Sequence, residues 1–135
     1  MASHQELARQ FMHVARIIAA RSHPSITAER DVFYVSYGGW DHHAGFHSQY
    51  GGLDKKYLIV NAVLTKFIAE MRGQGVWDSV VVQSASEFGR TLASNGRGSD
   101  HGWGGNAFVV GGAVNGSRVF GTYPSTLKRD SDQTV

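Results

Sequence analysis

The first stretch of the chain places apolar residues at helical spacing. They recur at i, i+4, i+7, i+8 and i+11 through Leu7, Phe11, Val14, Ala15 and Ile18, the pattern of a helix that buries one face. Ser3 and the glutamate at position 6 match a capping box, so this helix is predicted to begin there. A second stripe at positions 53, 57, 60, 64, 67, 68 and 71 ends at glycines 73 and 75, which predicts a second helix.

Two runs of β-branched and aromatic residues flank the second predicted helix. Residues 32–37 read Val-Phe-Tyr-Val-Ser-Tyr and residues 79–83 read Ser-Val-Val-Val-Gln, compositions that are typical of buried strands. A strand, a helix and a strand of these lengths predict a right-handed βαβ unit, with parallel strands whose following loops share one sheet edge. Shorter runs at 107–110 and 118–120 are further strand candidates.

Composition narrows the class of protein. With 135 residues, 41% hydrophobic and 18% charged, the chain is predicted to fold as one globular unit. The net charge is only +2 and its basic residues are dispersed, so no nucleic-acid-binding surface is expected. The absence of cysteine excludes disulfides and thiolate ligands. No apolar run approaches the roughly 20 residues of a membrane span, and the cellular compartment stays open.

Acidic and imidazole side chains follow both predicted strands. Asp41 and His43 come after the first strand, Glu87 comes after the second, and a later glycine-rich segment carries Asp100 and His101. Parallel strands would bring the first two loops to one sheet edge, and the later loop could fold over it. Carboxylate and imidazole ligands suit Zn²⁺, Mn²⁺ or Fe²⁺ better than Ca²⁺ or Mg²⁺. We therefore predict a divalent metal site, with Zn²⁺ and Mn²⁺ as the leading candidates.

The part that each candidate residue plays has alternatives. Asp41, His43, Glu87 and His101 are predicted to share the cation, with Asp100 beside them as a further ligand or as a partner of a ligand. The alternative is a hydrogen-bonded Asp–His cluster that shapes the loops without a metal. Arg90 is the candidate catalytic residue, because its fork of donors matches phosphate or sulfate oxygens. It could equally pair with a nearby carboxylate.

Four ordered motifs resemble the domain-of-unknown-function 1501 family. The first is Gly-Gly-Trp-Asp-His-His at 38–43, and the second is Ser-Glu-Phe-Gly-Arg-Thr at 86–91, followed by Asn-Gly at 95–96. The third is Ser-Asp-His-Gly-Trp-Gly-Gly at 99–105, and the fourth is Val-Gly-Gly-Ala-Val at 110–114. The resemblance runs from about residue 7 to residue 124, which is nearly the whole chain.

This family is similar to the alkaline phosphatase and sulfatase superfamily, and the resemblance carries several expectations. It implies an α/β fold, with a mostly parallel sheet flanked by helices. It implies that Asp41 and His43 ligate one metal and that His101 is a late histidine ligand. Glu87 stands where the superfamily usually has an aspartate, and Phe88 stands where a ligating histidine usually follows.

The resemblance also implies a function. Residues 1–135 are expected to form a single partial domain, the C-terminal part of a metal-dependent hydrolase that acts on small anionic phosphate or sulfate esters. Such a part is expected to be inactive alone and to associate with the missing N-terminal half or with itself. The alternative is a non-catalytic metal-binding or surface module of the same fold, which Phe88 at a ligand position favours.

Overall fold

Two helices provide the main apolar packing of the protein. A computed structural model describes residues 4–45 and 52–122. The first helix, α1, spans His4–Ala20, and the second, α2, spans Leu53–Gly73. Both predicted helices are confirmed, although the proposed capping residue Ser3 lies outside the described residues. Neither helix in these two ranges is long and apolar enough to cross a membrane.

The helices pack through a small aromatic and aliphatic core. The rings of Phe11 and Phe67 meet edge to face with centroids 5.0 Å apart. Met71 is fully buried against the same cluster, and Ala15 is buried beside it. The amide of Gln74 donates to the Ala15 carbonyl at 3.2 Å, which ties the end of α2 to α1. Burying a large apolar side chain contributes about 1.5–3 kcal/mol, so this cluster is the principal source of apolar stabilisation described.

Four short strands follow the helices within residues 74–122 of the described chain. After a 3-10 helix at Trp77–Ser79 come β1 at Val81–Gln83, β2 at Gly89–Arg90, β3 at His101–Gly102 and β4 at Val109–Gly111. β1 pairs antiparallel with β4, and Val82 lies opposite Val110. β2 pairs antiparallel with β3 in a separate two-stranded sheet.

The predicted fold class, an α/β fold with a mostly parallel sheet flanked by helices, is wrong. The strand predicted at 79–83 exists as β1, but its partner is β4, which follows it in the sequence, and the pairing is antiparallel. Residues 32–37 belong to no sheet within the described ranges. Val32 and Tyr34 in this segment are 97% and 83% exposed. The βαβ unit is therefore absent from the described part of the chain.

The physical reason lies in the choice of partner. A β-branched and aromatic composition favours an extended backbone, but it does not determine which strand lies alongside. At Ser36 the backbone N–H donates to Oε1 of Gln10, and the backbone carbonyl accepts from Nε2 of the same side chain, both at 2.9 Å. A side chain of α1 thus occupies a position where a strand would form its ladder.

The two shorter strand candidates have different outcomes. The run at 107–110 overlaps β4 at residues 109 and 110 and is confirmed as a strand, which begins two residues later and ends one residue later than predicted. Residues 118–120 are not a strand in the structure, and Val119 and Phe120 in that segment are exposed.

Candidate metal centre

The β2–β3 pair places Arg90 and His101 side by side. These two residues are direct partners in the antiparallel register, and Gly102 lies opposite the glycine before Arg90. A Cβ on Gly102 would lie 2.7 Å from the backbone nitrogen of Thr91, so only glycine permits this approach. The Thr91 N–H also donates to the carbonyl of Asp100 at 2.9 Å. Backbone contacts therefore set the position of His101.

The segment that carries Asp41 is held by α2. Nζ of Lys56 donates to the carbonyl of Gly38 at 2.8 Å. The same ammonium lies 4.6 Å from the ring centroid of Tyr37 and 5.3 Å from that of Trp40, within the range of cation–π attraction. Burial lowers the pKa of Lys56 below its ordinary value. This lysine anchors the turn just before Asp41.

Three side chains converge on one carboxylate oxygen. Oδ1 of Asp41 lies 2.8 Å from Nε2 of His101, 3.1 Å from Nε2 of His43 and 3.0 Å from a terminal nitrogen of Arg90. The hydrogen bond with His101 is the largest influence on the pKa of Asp41, which is lowered. A smaller effect of burial opposes it, and electrostatic interactions with His43, His101 and Arg90 reinforce it. The carboxylate form is thus favoured in the folded protein.

Asp100 approaches the opposite edge of the His43 ring. Its Oδ1 lies 2.8 Å from Nδ1 of His43 and accepts a hydrogen bond from the amide of Asn95 at 3.2 Å. These two hydrogen bonds, the one from His43 being the larger, lower the pKa of Asp100. His43 therefore lies between two carboxylates, one at each ring nitrogen.

The ring of Phe88 packs against the cluster. Its ring stacks on that of His101 with centroids 4.3 Å apart and planes 8° from parallel. The ring of His101 also stacks on that of His43 at 5.0 Å, and the guanidinium of Arg90 lies 4.9 Å from the Phe88 centroid. Phe88 thus holds the plane of His101, a contact that a polar residue would not supply equally.

Arg90 links the cluster to two backbone carbonyls. In addition to Asp41, it donates to the carbonyl of Trp40 at 3.0 Å and to that of Ser99. Its side chain is the least exposed of the group, at 21%. Of the two interpretations of Arg90, the contacts described here are those of a residue paired with a carboxylate. Its role toward an oxyanion stays a prediction.

Of the five predicted ligands, the structure brings three together. Within the described ranges, Asp41, His43 and His101 form a group whose ligand atoms all lie within 4.8 Å of one another. Asp100 lies outside this group, on the far side of His43. Glu87 is exposed and also lies outside it.

Two residues have roles that their motifs do not indicate. The Asn-Gly pair at 95–96 signals a turn, but nothing in its spacing indicates that the Asn95 amide would reach Asp100. Phe88, which the resemblance places at the position of a ligating histidine, stacks on His101. Both contacts depend on how the loop at 91–100 and the β2–β3 pair fold, which local sequence patterns do not reveal.

The donor set fits a borderline divalent cation. One carboxylate and two imidazoles are common ligands of Zn²⁺, and three protein ligands with an open position are typical of catalytic zinc sites. Tetrahedral ligands at about 2.1 Å from Zn²⁺ lie about 3.4 Å from one another. The two imidazole nitrogens lie 2.8 and 3.1 Å from Oδ1 of Asp41. Lengthening these two distances by roughly 0.6 and 0.3 Å would bring both nitrogens to that spacing from Oδ1.

Comparison with known proteins gives one match. A family model described as "Protein of unknown function (DUF1501)" matches residues 3–135. No curated protein matches the chain, and no solved structure matches it. The matched range contains every residue of the cluster.

Proposed function

The chain belongs to the DUF1501 family of proteins of unknown function, and from this premise we propose that Asp41, His43 and His101 bind one divalent cation, Zn²⁺ or Mn²⁺. The proposed activity is metal-dependent hydrolysis of a phosphate or sulfate ester. The four motifs resemble the alkaline phosphatase and sulfatase superfamily, and this resemblance supports the proposed activity. The proposal does not depend on that superfamily's parallel sheet, which the described residues lack. The observation that carries the proposal is the convergence of two imidazole nitrogens on Oδ1 of Asp41.

A cation is favoured here because the ligand atoms surround one negative charge. The two ring nitrogens lie 2.8 and 3.1 Å from Oδ1 of Asp41, a spacing that calls for a proton or a cation between each nitrogen and the oxygen. Asp41 has a lowered pKa, so its carboxylate keeps its negative charge, and in the metal-free protein any such proton belongs to an imidazole. A divalent cation would take the place of these protons and bind all three atoms at once.

The proposed chemistry divides between the cation and the chain. A divalent cation supplies Lewis-acid chemistry, in which it polarises an ester oxygen and favours the ionisation of water. Arg90 fixes the ligand oxygen of Asp41 through its hydrogen bond at 3.0 Å. Three of its five N–H donors have acceptors in the described ranges, at Asp41, Trp40 and Ser99. A remaining N–H would donate to an oxygen of an anionic ester and stabilise developing charge there.

A non-catalytic metal-binding module is the second candidate, and one observation favours it. The side chains of Asp41, His43 and His101 are 53%, 50% and 49% exposed. Active sites of hydrolases generally exclude water, which strengthens the electrostatic interactions on which catalysis depends. A site this open suits cation binding at a surface as well as turnover.

A Zn²⁺ titration tests the cation site. Purified wild-type protein is titrated in competition with a chromophoric chelator, beside His101→Ala and His13→Ala. His13 is a matched control because it is an exposed histidine on α1. We expect His101→Ala to weaken Zn²⁺ binding by at least about 100-fold, the upper end of the range for a ligand's hydrogen-bond partner. His13→Ala should bind Zn²⁺ as tightly as the wild type does. Equal losses of Zn²⁺ affinity in both variants would contradict the proposed site.

Turnover separates the two candidate functions. The protein loaded with Zn²⁺ or Mn²⁺ is assayed with aryl phosphate and aryl sulfate esters, beside the metal-free protein and His101→Ala. Hydrolysis that requires the metal and disappears in His101→Ala supports the hydrolase. Tight Zn²⁺ binding without hydrolysis of either ester supports the binding module instead.

A further inference from the structure

We propose that Asp100 is a positioning residue that orients the ligand His43, and that Asn95 holds Asp100 in place. The inference rests on the proposed cation site and deepens it, because it removes Asp100 from the ligands and gives it another role. The two nitrogens of the His43 ring face different carboxylates. Nδ1 lies 2.8 Å from Oδ1 of Asp100, and Nε2 lies 3.1 Å from Oδ1 of Asp41.

The hydrogen bond to Asp100 selects the tautomer of His43. A neutral imidazole carries one N–H, and the hydrogen bond made by one nitrogen decides which of the two bears it. Both ring nitrogens face ionised carboxylates, which accept hydrogen bonds but cannot donate. The contact of Nδ1 with Oδ1 of Asp100, at 2.8 Å, is shorter than that of Nε2 with Oδ1 of Asp41, at 3.1 Å, so the single proton of the neutral ring is assigned to Nδ1. The lone pair of Nε2 is then directed at the Asp41 side, where the cation is proposed. Histidines that bind metals usually donate their other N–H in this way.

Asn95 connects the tautomer to the backbone. Its Nδ2 donates to Oδ1 of Asp100 at 3.2 Å and to the carbonyl of His43 at 3.0 Å. Its Oδ1 accepts from the N–H groups of Arg97 at 3.0 Å and Gly98 at 2.8 Å. Both donors and both acceptor positions of the amide are used, which fixes its orientation. One side chain therefore sets both the backbone of His43 and the carboxylate that orients its ring.

The loop that carries Asn95 cannot move away from His43 freely. The carbonyl of Arg97 accepts from the N–H of Gly45 at 3.0 Å. At Gly98 an added Cβ would lie 2.6 Å from the carbonyl oxygen of His43, so the two backbones are in direct contact. Asp100 follows this contact by two residues. Its carboxylate is consequently presented to His43 from a backbone that is already docked.

Two substitutions separate orientation from folding. Asp100→Ala removes the acceptor for Nδ1 of His43. Asn95→Asp retains an oxygen that accepts from Arg97 and Gly98, so the turn is kept, but it replaces the donor to Asp100 and to the His43 carbonyl with a second carboxylate oxygen. Ser94→Ala is the matched control, because within the described residues the Ser94 hydroxyl bonds inside the loop, to the carbonyl of Gly98 at 2.9 Å and the N–H of Gly96 at 3.0 Å.

The test reads the tautomer and the affinity separately. Nitrogen NMR of the His43 ring is recorded on metal-free protein, at a pH where the ring is neutral, and Zn²⁺ affinity is measured by chelator competition. We expect the wild type and Ser94→Ala to show the Nδ1–H form. Asp100→Ala and Asn95→Asp should shift toward the Nε2–H form and bind Zn²⁺ about 10–100-fold more weakly.

The outcomes that overturn the proposal are distinct from failure of the cation site. A His43 that keeps the Nδ1–H form in Asp100→Ala overturns the orienting role of Asp100. A loss of Zn²⁺ affinity in Ser94→Ala as large as in Asn95→Asp overturns the role of Asn95, because it assigns the effect to loop integrity. A wild type that shows the Nδ1–H form but binds no Zn²⁺ overturns the proposed function instead.

Discussion

Nε2 of His101 lies 2.8 Å from Oδ1 of Asp41 across a sequence separation of 60 residues. His101 belongs to β3, which is held by its antiparallel pairing with β2. Asp41 follows the turn that Lys56 of α2 anchors. The contact therefore forms only when the helical part and the β2–β3 pair are both folded and in register. Several properties of the cluster can be measured without knowledge of its ligand.

Acid should destabilise the metal-free protein through the two aspartates of the cluster. The pKa values of Asp41 and Asp100 are both lowered, so the folded state binds fewer protons than the unfolded state. Their contribution is complete above the ordinary aspartate pKa of about 3.9 and is lost as the pH falls through the lower folded values. We expect the difference in melting temperature between wild type and Asp41→Asn to narrow as the pH falls below about 4.

Circular dichroism melts at a series of pH values measure this effect. The control is Glu29→Gln, a substitution of an exposed carboxylate outside the cluster. Because the cluster is half exposed, added salt should reduce the pH dependence of wild type. A wild-type advantage over Asp41→Asn that stays constant across the acid range would contradict the prediction.

Gly98→Ala should destabilise the loop that docks on His43. The new Cβ would lie 2.6 Å from the His43 carbonyl oxygen, so one backbone must move. Overpacking of this kind typically costs about 1–3 kcal/mol in the free energy of unfolding. Gly105→Ala is the matched control, because an added Cβ there meets nothing within 4 Å. Urea unfolding of the two variants decides the matter, and equal stability losses would argue against a docked loop.

Lys56→Met should loosen the turn that precedes Asp41. Methionine keeps part of the apolar stem but removes the hydrogen bond to Gly38 and the cation–π contacts with Tyr37 and Trp40. A neutral hydrogen bond contributes about 1 kcal/mol and one to a charged group somewhat more, so we expect a loss of about 1–2 kcal/mol. Lys55→Met, at an exposed position on the same helix, should change stability little. Urea denaturation measures the free energy of unfolding of both variants. An unchanged free energy in Lys56→Met would contradict the anchoring role of Lys56.

The exposed segment at 32–37 should promote self-association. Val32 and Tyr34 are almost fully exposed in a segment of β-branched and aromatic composition, a combination that favours pairing with another chain. We expect the double substitution V32K/Y34K to weaken self-association by about tenfold or more, as removal of a large apolar contact does. Leu58→Lys, an exposed apolar position on α2, is the control. Sedimentation at micromolar concentration measures the effect, and a wild type that remains monomeric would contradict it.

The helices were predictable because their signal is local. Apolar spacing within a single segment determines which face of α1 or α2 is buried, and the observed core at Phe11, Ala15, Phe67 and Met71 lies on the predicted faces. Strand pairing is a choice among distant segments. The composition around Val82 predicts an extended backbone, yet nothing in it distinguishes Val110 as its neighbour from residues 32–37.

The cluster shows a similar division. Residue type and motif order drew attention to Asp41, His43 and His101, and the structure places these three side chains together. The expected route to that proximity, two parallel strands ending at one edge, was wrong. The β2–β3 pair and the lysine anchor on α2 bring them together instead. Glu87 is a candidate because it follows a strand and stands where the superfamily usually has an aspartate. It lies outside the group of three, and the strand before it, β1, pairs with β4 and not with residues 32–37.

The three hydrogen bonds of Arg90 determine how a substitution at this position acts. Its guanidinium donates to the Trp40 carbonyl, the Asp41 carboxylate and the Ser99 carbonyl. These hydrogen bonds connect two separate stretches of the chain. Lysine offers a compact point charge on a flexible stem and cannot reproduce a rigid planar fork. Charge and architecture are therefore inseparable at this position, and even Arg90→Lys changes the frame that holds Asp41 together with the field that a bound anion would experience.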